Sequence, residues 1–138
     1  MKFLRFVFIY CLVLFAFSCG KDKQPTIPYV YVNQVIYPNS LDFIPVGGYK
    51  YVNAGYRGIV VYRMLPDEFR VYERCCPYDP QKTNARISVN SDNSTAIDSA
   101  CMSHYILLDG SPYGSGPSHY SLMTYNFSYD GEKLQIYN

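Results

Sequence analysis

The sequence predicts an all-β domain, and three observations carry this prediction. Sixteen of the 138 residues are tyrosine and none is tryptophan, and valine and isoleucine are frequent, which favours strands over helices. Beyond an apolar N-terminal stretch, no window keeps apolar residues at i, i+3, i+4 and i+7 over several turns, so we expect no long helix. Short β-rich segments alternate with turn residues throughout. The sequence that follows the apolar N-terminal stretch has about 120 residues, which is enough for one domain with one core.

Four strands are expected in the first half of this domain. Residues 29–37 are β-rich and form the first strand, which a Pro-Asn-Ser run ends. Residues 49–52 form a short second strand after a glycine pair. Residues 58–64 and 69–73 are apolar segments joined by a Pro-Asp turn, so we expect them to pair as a hairpin. This hairpin leads into the first of two cysteine-bearing segments.

Five strands are expected in the second half. Residues 86–89 and 94–97 flank an Asn-Ser-Asp-Asn turn and form a second hairpin, which leads to the second cysteine-bearing segment. Residues 105–108 form a strand that an Asp-Gly pair closes. Residues 123–129 and 133–137 flank another Asp-Gly pair and form a third hairpin, with a strong turn signal.

The N-terminus predicts export and a lipid anchor. A basic start precedes an apolar run at 6–17 of about a dozen residues, which is too short to span a bilayer. The run ends in small residues beside Cys19, and this resembles the lipobox of a bacterial lipoprotein signal. We therefore expect a signal peptide at 1–18, acylation of Cys19 and a tether at 19–28. The alternatives are a secretory signal cut near Ser18, with an incidental cysteine after it, or an uncleaved anchor.

These features place the protein in the bacterial cell envelope, on the periplasmic or outer-membrane face. The absence of a twin-arginine signal indicates that the chain crosses the inner membrane unfolded, by general secretion. The formal net charge of +1, without a basic run, gives no support for nucleic-acid binding. The expected partners are the membrane, through the anchor, and a redox or envelope protein. Ser103-His104 and Cys75 suggest a nucleophile and a base, but the sequence shows no clear third catalytic residue and no oxyanion-hole signature. We therefore do not expect an enzyme.

The two cysteine-bearing segments and a glycine-rich loop after them are the candidate functional site. The first segment runs from Cys75 and Cys76 to Tyr78, and the second from Cys101 to His104. Short loops that offer sulfur and imidazole ligands are the usual means of holding an iron–sulfur cluster or a zinc ion. The following loop carries Gly114, Gly116 and Pro117.

This order of motifs resembles the Rieske iron–sulfur domain, in particular the Rieske-like lipoproteins of Bacteroidetes-type bacteria. That family has a Cys-x-His loop, a hairpin, a Cys-x-x-His loop and a glycine–proline loop that covers the cluster. The resemblance covers roughly residues 29–138 of this sequence. It implies an antiparallel β-sandwich with a small inserted ligand-loop subdomain at about 75–118, and a [2Fe–2S] cluster that serves electron transfer.

The resemblance also assigns roles to single residues. Cys76, Cys101 and His104 correspond to cluster ligands, and Gly114, Gly116 and Pro117 to the covering loop. Tyr78 stands where the first histidine belongs. Tyrosine has an unperturbed pKa of about 10, so it is a poor substitute for imidazole at neutral pH.

Three interpretations of the site follow. The first is a [2Fe–2S] cluster with one altered ligand, which Tyr78 or Cys75 supplies. The second is a zinc ion held by Cys76, Cys101, His104 and a fourth group such as Cys75 or Asp79. The third is a metal-free domain in which Cys76 and Cys101 form a disulfide or stay reduced and buried. An oxidising compartment favours the disulfide.

Overall fold

A computed structural model describes residues 25–138 of the chain. The expected signal peptide and the acylation site at Cys19 lie outside the described residues. The described part contains ten strands and no helix, so nothing in it forms a helix that could cross a membrane. The prediction of an all-β fold is confirmed. In chain order the strands are β1 (Asn33–Ile36), β2 (Tyr49–Val52), β3 (Ile59–Leu65), β4 (Glu68–Glu73), β5 (Ile87–Val89), β6 (Thr95–Asp98), β7 (Ser103–Ile106), β8 (Pro112–Tyr113), β9 (Asn126–Tyr129) and β10 (Leu134–Tyr137).

The strands form three antiparallel sheets. The first has the order β1-β10-β9, the second β2-β3-β4 and the third β5-β6-β7-β8. The expected hairpins β3–β4, β5–β6 and β9–β10 are all present, and the middle one continues into β7. The third sheet lies between β4 and β9 in the sequence. The first cysteine segment precedes its strand β5, and the second forms the turn between β6 and β7.

The middle sheet separates two hydrophobic clusters because β3 and β4 are apolar on both faces. Ile59, Val61 and Phe69 point into one cluster, whereas Val60 and Tyr72 point into the other. The first cluster joins this sheet to β1 and β10. The second joins it to the third sheet, and it includes the first cysteine loop. One domain therefore has two core layers where the sequence led us to expect one core.

The strand boundaries differ from the prediction where pairing ends. The first strand was expected over 29–37, but its ladder with β10 ends at Asn33, opposite Tyr137. Tyr29 and Tyr31 before it are about three-quarters exposed. β7 begins at Ser103, because a tight turn connects it directly to β6. β8 has only two residues, and its proline gives no strand signal, so the sequence did not predict it.

Candidate metal centre

The first cysteine loop begins directly after β4 and is held firmly. The backbone N–H of Cys76 donates to the carbonyl of Ala85 at 3.2 Å, which closes the loop on itself. The guanidinium of Arg57, from outside the loop, donates to three carbonyl oxygens between residues 80 and 83. These bonds fix the backbone, and the side chain of Cys76 is fully buried in the second hydrophobic cluster.

The second cysteine loop is the tight turn between β6 and β7. Asp98 ends β6 and pairs with Ser103 at the start of β7, so Cys101 lies within the turn itself. Asp98 accepts two hydrogen bonds that stabilise the turn. Its side-chain Oδ1 accepts the N–H of Ala100 at 2.9 Å, and its backbone carbonyl accepts the N–H of Met102 at 2.7 Å. Met102 takes a left-handed conformation with φ of 60°. An aspartate that accepts a backbone N–H two residues on is typical of such turns.

The two loops bring both sulfurs and a carboxylate together. The Sγ atoms of Cys76 and Cys101 are 3.6 Å apart, and Cys101 Sγ lies 3.3 Å from Asp98 Oδ2. The ligand atoms of these three residues all lie within 4.8 Å of one another. Two hydroxyls complete the surroundings. Ser103 Oγ lies 3.1 Å from Cys101 Sγ, and the Tyr105 hydroxyl lies 3.2 Å from Cys76 Sγ.

Burial keeps the Cys76 thiol neutral in the metal-free protein. Its pKa is raised to about 12, chiefly because the thiolate would lose its solvation in the core. The neighbouring Tyr105 hydroxyl also has a raised pKa, caused first by burial and then by its contact with Cys76. A buried thiol of this kind is a poor nucleophile. A bound metal ion would change this, because coordination deprotonates a thiol outright.

Cys75 and Tyr78 lie apart from this group. The Sγ of Cys75 lies 3.8 Å from two carbonyl oxygens of its own loop, and burial raises its pKa to about 11. Tyr78 is 40% exposed. Asp79, the alternative fourth zinc ligand, forms a salt bridge with Lys82 at 3.1 Å. Among residues 25–138, the group that could hold one ion contains none of these three side chains.

His104 also lies outside the group. It sits on β7 between Ser103 and Tyr105, which are both buried and face the sulfurs. Because side chains alternate along a strand, His104 points to the opposite face. There its ring packs edge-on against Tyr113 of β8, with 5.5 Å between the ring centres. The structure thus brings Cys76 and Cys101 together without His104.

The glycine-rich loop covers the second cysteine turn. A Cβ on Gly116 would lie 2.6 Å from the Cα of Ser103, so a glycine is needed for this close approach. The N–H of Ser118 donates to Ser103 Oγ at 3.1 Å and holds the loop down. Pro117, which lies between Gly116 and Ser118 in the chain, is half-buried. Gly114 has a φ of +73° and open space around it, so it serves the turn rather than the contact.

Asp98 is the site residue that the sequence reasoning missed. It lies three residues before Cys101, directly after the segment 94–97 that was expected to form a strand. That placement was the available signal, because a polar residue at the end of a strand is well placed to face the next loop. Its side chain is completely buried.

Comparisons with known proteins identify the fold. No protein-family model matches the sequence, and no curated protein matches it at significant similarity. Among solved structures, it is similar to a chain of the complex of reduced oxygenase and oxidised ferredoxin in carbazole 1,9a-dioxygenase, with 19% identity and a TM-score of 0.53. That match covers 77% of this chain and 93% of the other.

A second similar structure is the ferredoxin of carbazole 1,9a-dioxygenase from Nocardioides aromaticivorans IC177. Its identity is 14% and its TM-score 0.51, over 79% of this chain and 98% of that chain. With the three antiparallel sheets, these likenesses define the class: the fold is all-β and Rieske-like, as the sequence predicted. The boundaries of the ligand-loop subdomain stay a prediction.

The residues present fit half of a Rieske cluster. Such a cluster needs two cysteines on one iron and two histidines on the other. Cys76 and Cys101 have the right separation to share one metal ion. The second pair is not available, because a tyrosine, Tyr78, stands in place of one histidine and His104 lies on the far face of β7. The described residues therefore do not supply a complete Rieske ligand set.

Proposed function

We propose that this chain is an exported, lipid-anchored protein of the bacterial cell envelope whose Rieske-like domain binds a metal through its paired cysteine loops. The fold is one that carries electron-transfer clusters, and the metal-binding part of that function is what the local geometry supports. A redox or envelope protein is the proposed partner, reached from the membrane surface through the anchor at Cys19.

The separation of the two sulfurs carries the proposal. Two thiolates on one tetrahedral metal ion, each about 2.3 Å from it, lie about 3.8 Å apart. Cys76 Sγ and Cys101 Sγ are 3.6 Å apart, although they belong to loops 25 residues apart in the chain. Both loops are fixed by backbone hydrogen bonds, so this separation does not depend on freely moving segments.

The test is the metal content of the full chain, extracted from membranes with detergent and purified under reducing, oxygen-free conditions. We expect at least about one metal ion per chain, and loss of that metal in a Cys76→Ser, Cys101→Ser double variant. A Cys75→Ser variant is the matched control and should keep the metal. A wild-type chain that contains no metal and takes up none from solution contradicts the proposal.

The lipid anchor is tested separately. Cells that express the chain should transfer fatty acid label to the wild-type protein but not to a Cys19→Ser variant. We expect the wild type in the membrane fraction, with its N-terminus blocked. An unmodified chain that begins after Ser18 would support the simple secretory signal instead.

A disulfide between Cys76 and Cys101 is the second candidate, with a structural or binding role for the domain. The closeness of the sulfurs favours it as well, because disulfides form readily in the oxidising compartments that exported proteins reach. Alkylation of the protein in intact cells, followed by mass spectrometry, distinguishes the two candidates. A linked peptide pair supports the disulfide, whereas two alkylated cysteines after metal removal support the metal site.

A further inference from the structure

We infer that the site holds a single zinc ion with Cys76, Cys101 and Asp98 as its protein ligands, so that a carboxylate takes the place of imidazole. This inference rests on the proposed metal-binding function and names its ligands and metal. Asp98 belongs to no part of the Rieske ligand pattern, and His104 is left out of the coordination.

The arrangement of the donor atoms supports one ion at the centre. Cys101 Sγ lies 3.6 Å from Cys76 Sγ and 3.3 Å from Asp98 Oδ2. The three donors lie mutually within 4.8 Å, which is a spacing that one small ion can bridge. They come from both cysteine loops, so an ion at this position would join the loops across the second hydrophobic cluster.

The burial of Asp98 is the independent observation. Its side chain is completely buried, and within residues 25–138 no salt bridge reaches it. Its Oδ1 accepts one backbone N–H, from Ala100, and the partner of Oδ2 is the thiol of Cys101. A thiol is a weak donor. A buried carboxylate is costly unless it is paired with a cation or well hydrogen-bonded, and the hydrogen-bond partner of Oδ2 is this weak donor.

The donor chemistry selects zinc. Zinc accepts sulfur and carboxylate oxygen together, at about 2.3 Å and 2.0–2.2 Å respectively. Magnesium and calcium prefer sites made only of oxygen, and copper(I) prefers sites made only of sulfur. Two thiolates and one carboxylate carry three negative charges, which a divalent ion reduces to one.

A fourth ligand position remains at the mouth of the group. The hydroxyls of Ser103 and Tyr105 lie against the two sulfurs and are placed to donate to them once the thiols have lost their protons. Cys101 is half-buried, so solvent reaches this side. We assign the fourth position to a water molecule. Three protein ligands and a water are the composition of a zinc site with an open position.

The experiment is a titration of the full chain, first stripped of metal and reduced, with zinc in competition with a chromogenic chelator. Four proteins are compared: the wild type, Asp98→Asn, His104→Ala and Asp79→Asn. We expect one zinc per wild-type chain and a loss of affinity of at least about tenfold in Asp98→Asn, because even second-shell partners of metal ligands cost about 10–100-fold. His104→Ala and Asp79→Asn should bind as the wild type does.

Cobalt(II) gives a readout that does not depend on affinity. The wild type should show thiolate-to-cobalt absorption and intense visible bands of a tetrahedral site, and His104→Ala should show the same spectrum. Asp98→Asn should show a changed visible spectrum with the thiolate bands retained. Circular dichroism of each metal-free variant identifies any that fails to fold. If Asp98→Asn does not fold, a Cys101→Ser variant, at a half-buried position, removes a different ligand and tests the same site.

The outcomes separate this inference from the proposed function. Zinc binding that depends on His104 and not on Asp98 overturns the inference and leaves metal binding in place. Iron with acid-labile sulfide in equal amounts does the same. A wild-type chain that is purified without any metal and then takes up neither iron, zinc nor cobalt overturns both.

Discussion

Two carboxylates are completely buried in the described part of the domain, and they differ in the hydrogen bonds that they accept. Glu73, at the end of β4, accepts four hydrogen bonds at 2.7–3.0 Å, three from backbone N–H groups and one from the hydroxyl of Tyr125. Asp98, at the end of β6, accepts one backbone N–H and faces one thiol. Both side chains have no exposed surface.

The difference indicates what each carboxylate is for. The backbone donors of Glu73 belong to Tyr56, Arg57 and Cys75, so its charge is satisfied within the fold and ties the 53–58 loop to the first cysteine loop. Asp98 has no comparable set of donors among residues 25–138. A buried charge without such partners is expensive. Glu73 is therefore a structural carboxylate, and Asp98 is the one with capacity left for a cation.

The largest effect should come from replacement of Glu73. In Glu73→Gln the amide keeps one oxygen and turns an N–H₂ group toward one pair of donors, so at least one backbone N–H group loses its acceptor and the remaining hydrogen bonds lose their charged acceptor. We expect the free energy of unfolding to fall by about 3–4 kcal/mol, since a bond to a charged group contributes roughly 1.5–3 kcal/mol. Urea denaturation measures this loss.

The matched variant is Asp98→Asn in zinc-free protein. It replaces a carboxylate whose Oδ2 has a weak thiol partner, and an amide oxygen can still accept the N–H of Ala100. We expect a change below about 1 kcal/mol. Equal losses of stability in Glu73→Gln and Asp98→Asn would contradict the conclusion that only Glu73 is a structural carboxylate.

Zinc should reduce the difference between the two variants, because it stabilises the wild type through Asp98. At a free zinc concentration about 100 times the dissociation constant, we expect wild-type stability to rise by about 2.7 kcal/mol. Glu73 takes no part in the site, so any Glu73 variant that still folds should gain as much. Asp98→Asn should gain clearly less at the same zinc concentration. Thermal unfolding with and without a chelator provides the measurement, and an equal gain in Asp98→Asn would count against zinc ligation by this carboxylate.

The sequence predicted the fold more completely than the site. Alternating apolar residues and turn signals placed β2, β3, β4 and the three hairpins correctly, because these features are local. The order of the cysteine motifs indicated the Rieske-like fold. Both sources of information are carried by residues close together in the chain.

The ligand set depended on features that are not local. Cys101 and His104 are three residues apart, and only the start of β7 at Ser103 decides which face the histidine occupies. Asp98 reaches the sulfurs because it pairs with Ser103 across the turn. A shift of one residue in that register would move every side chain of β7 to the other face.

Tyr125→Phe should produce an intermediate effect at the Glu73 site. The hydroxyl of Tyr125 donates to Glu73 Oε2 at 2.7 Å, and both groups are buried. Because the acceptor is charged, we expect a loss of about 2 kcal/mol in the free energy of unfolding. The loss should be the same with and without zinc. A loss that disappears in the presence of zinc would mean that the two carboxylate sites are coupled.

Tyr105→Phe is the matching change at the Asp98 site and should have the smallest effect on stability. Its hydroxyl faces the neutral thiol of Cys76 at 3.2 Å, and sulfur is a weak partner. In zinc-free protein we expect a loss below about 1 kcal/mol. With zinc bound, Cys76 is a thiolate, and the same hydroxyl then donates to a charged acceptor, which makes the bond stronger. Tyr105→Phe should therefore weaken zinc binding several-fold while Tyr125→Phe leaves it unchanged, and chelator competition measures both. If the two phenylalanine variants bind zinc equally well, the sulfur of Cys76 is not a ligand.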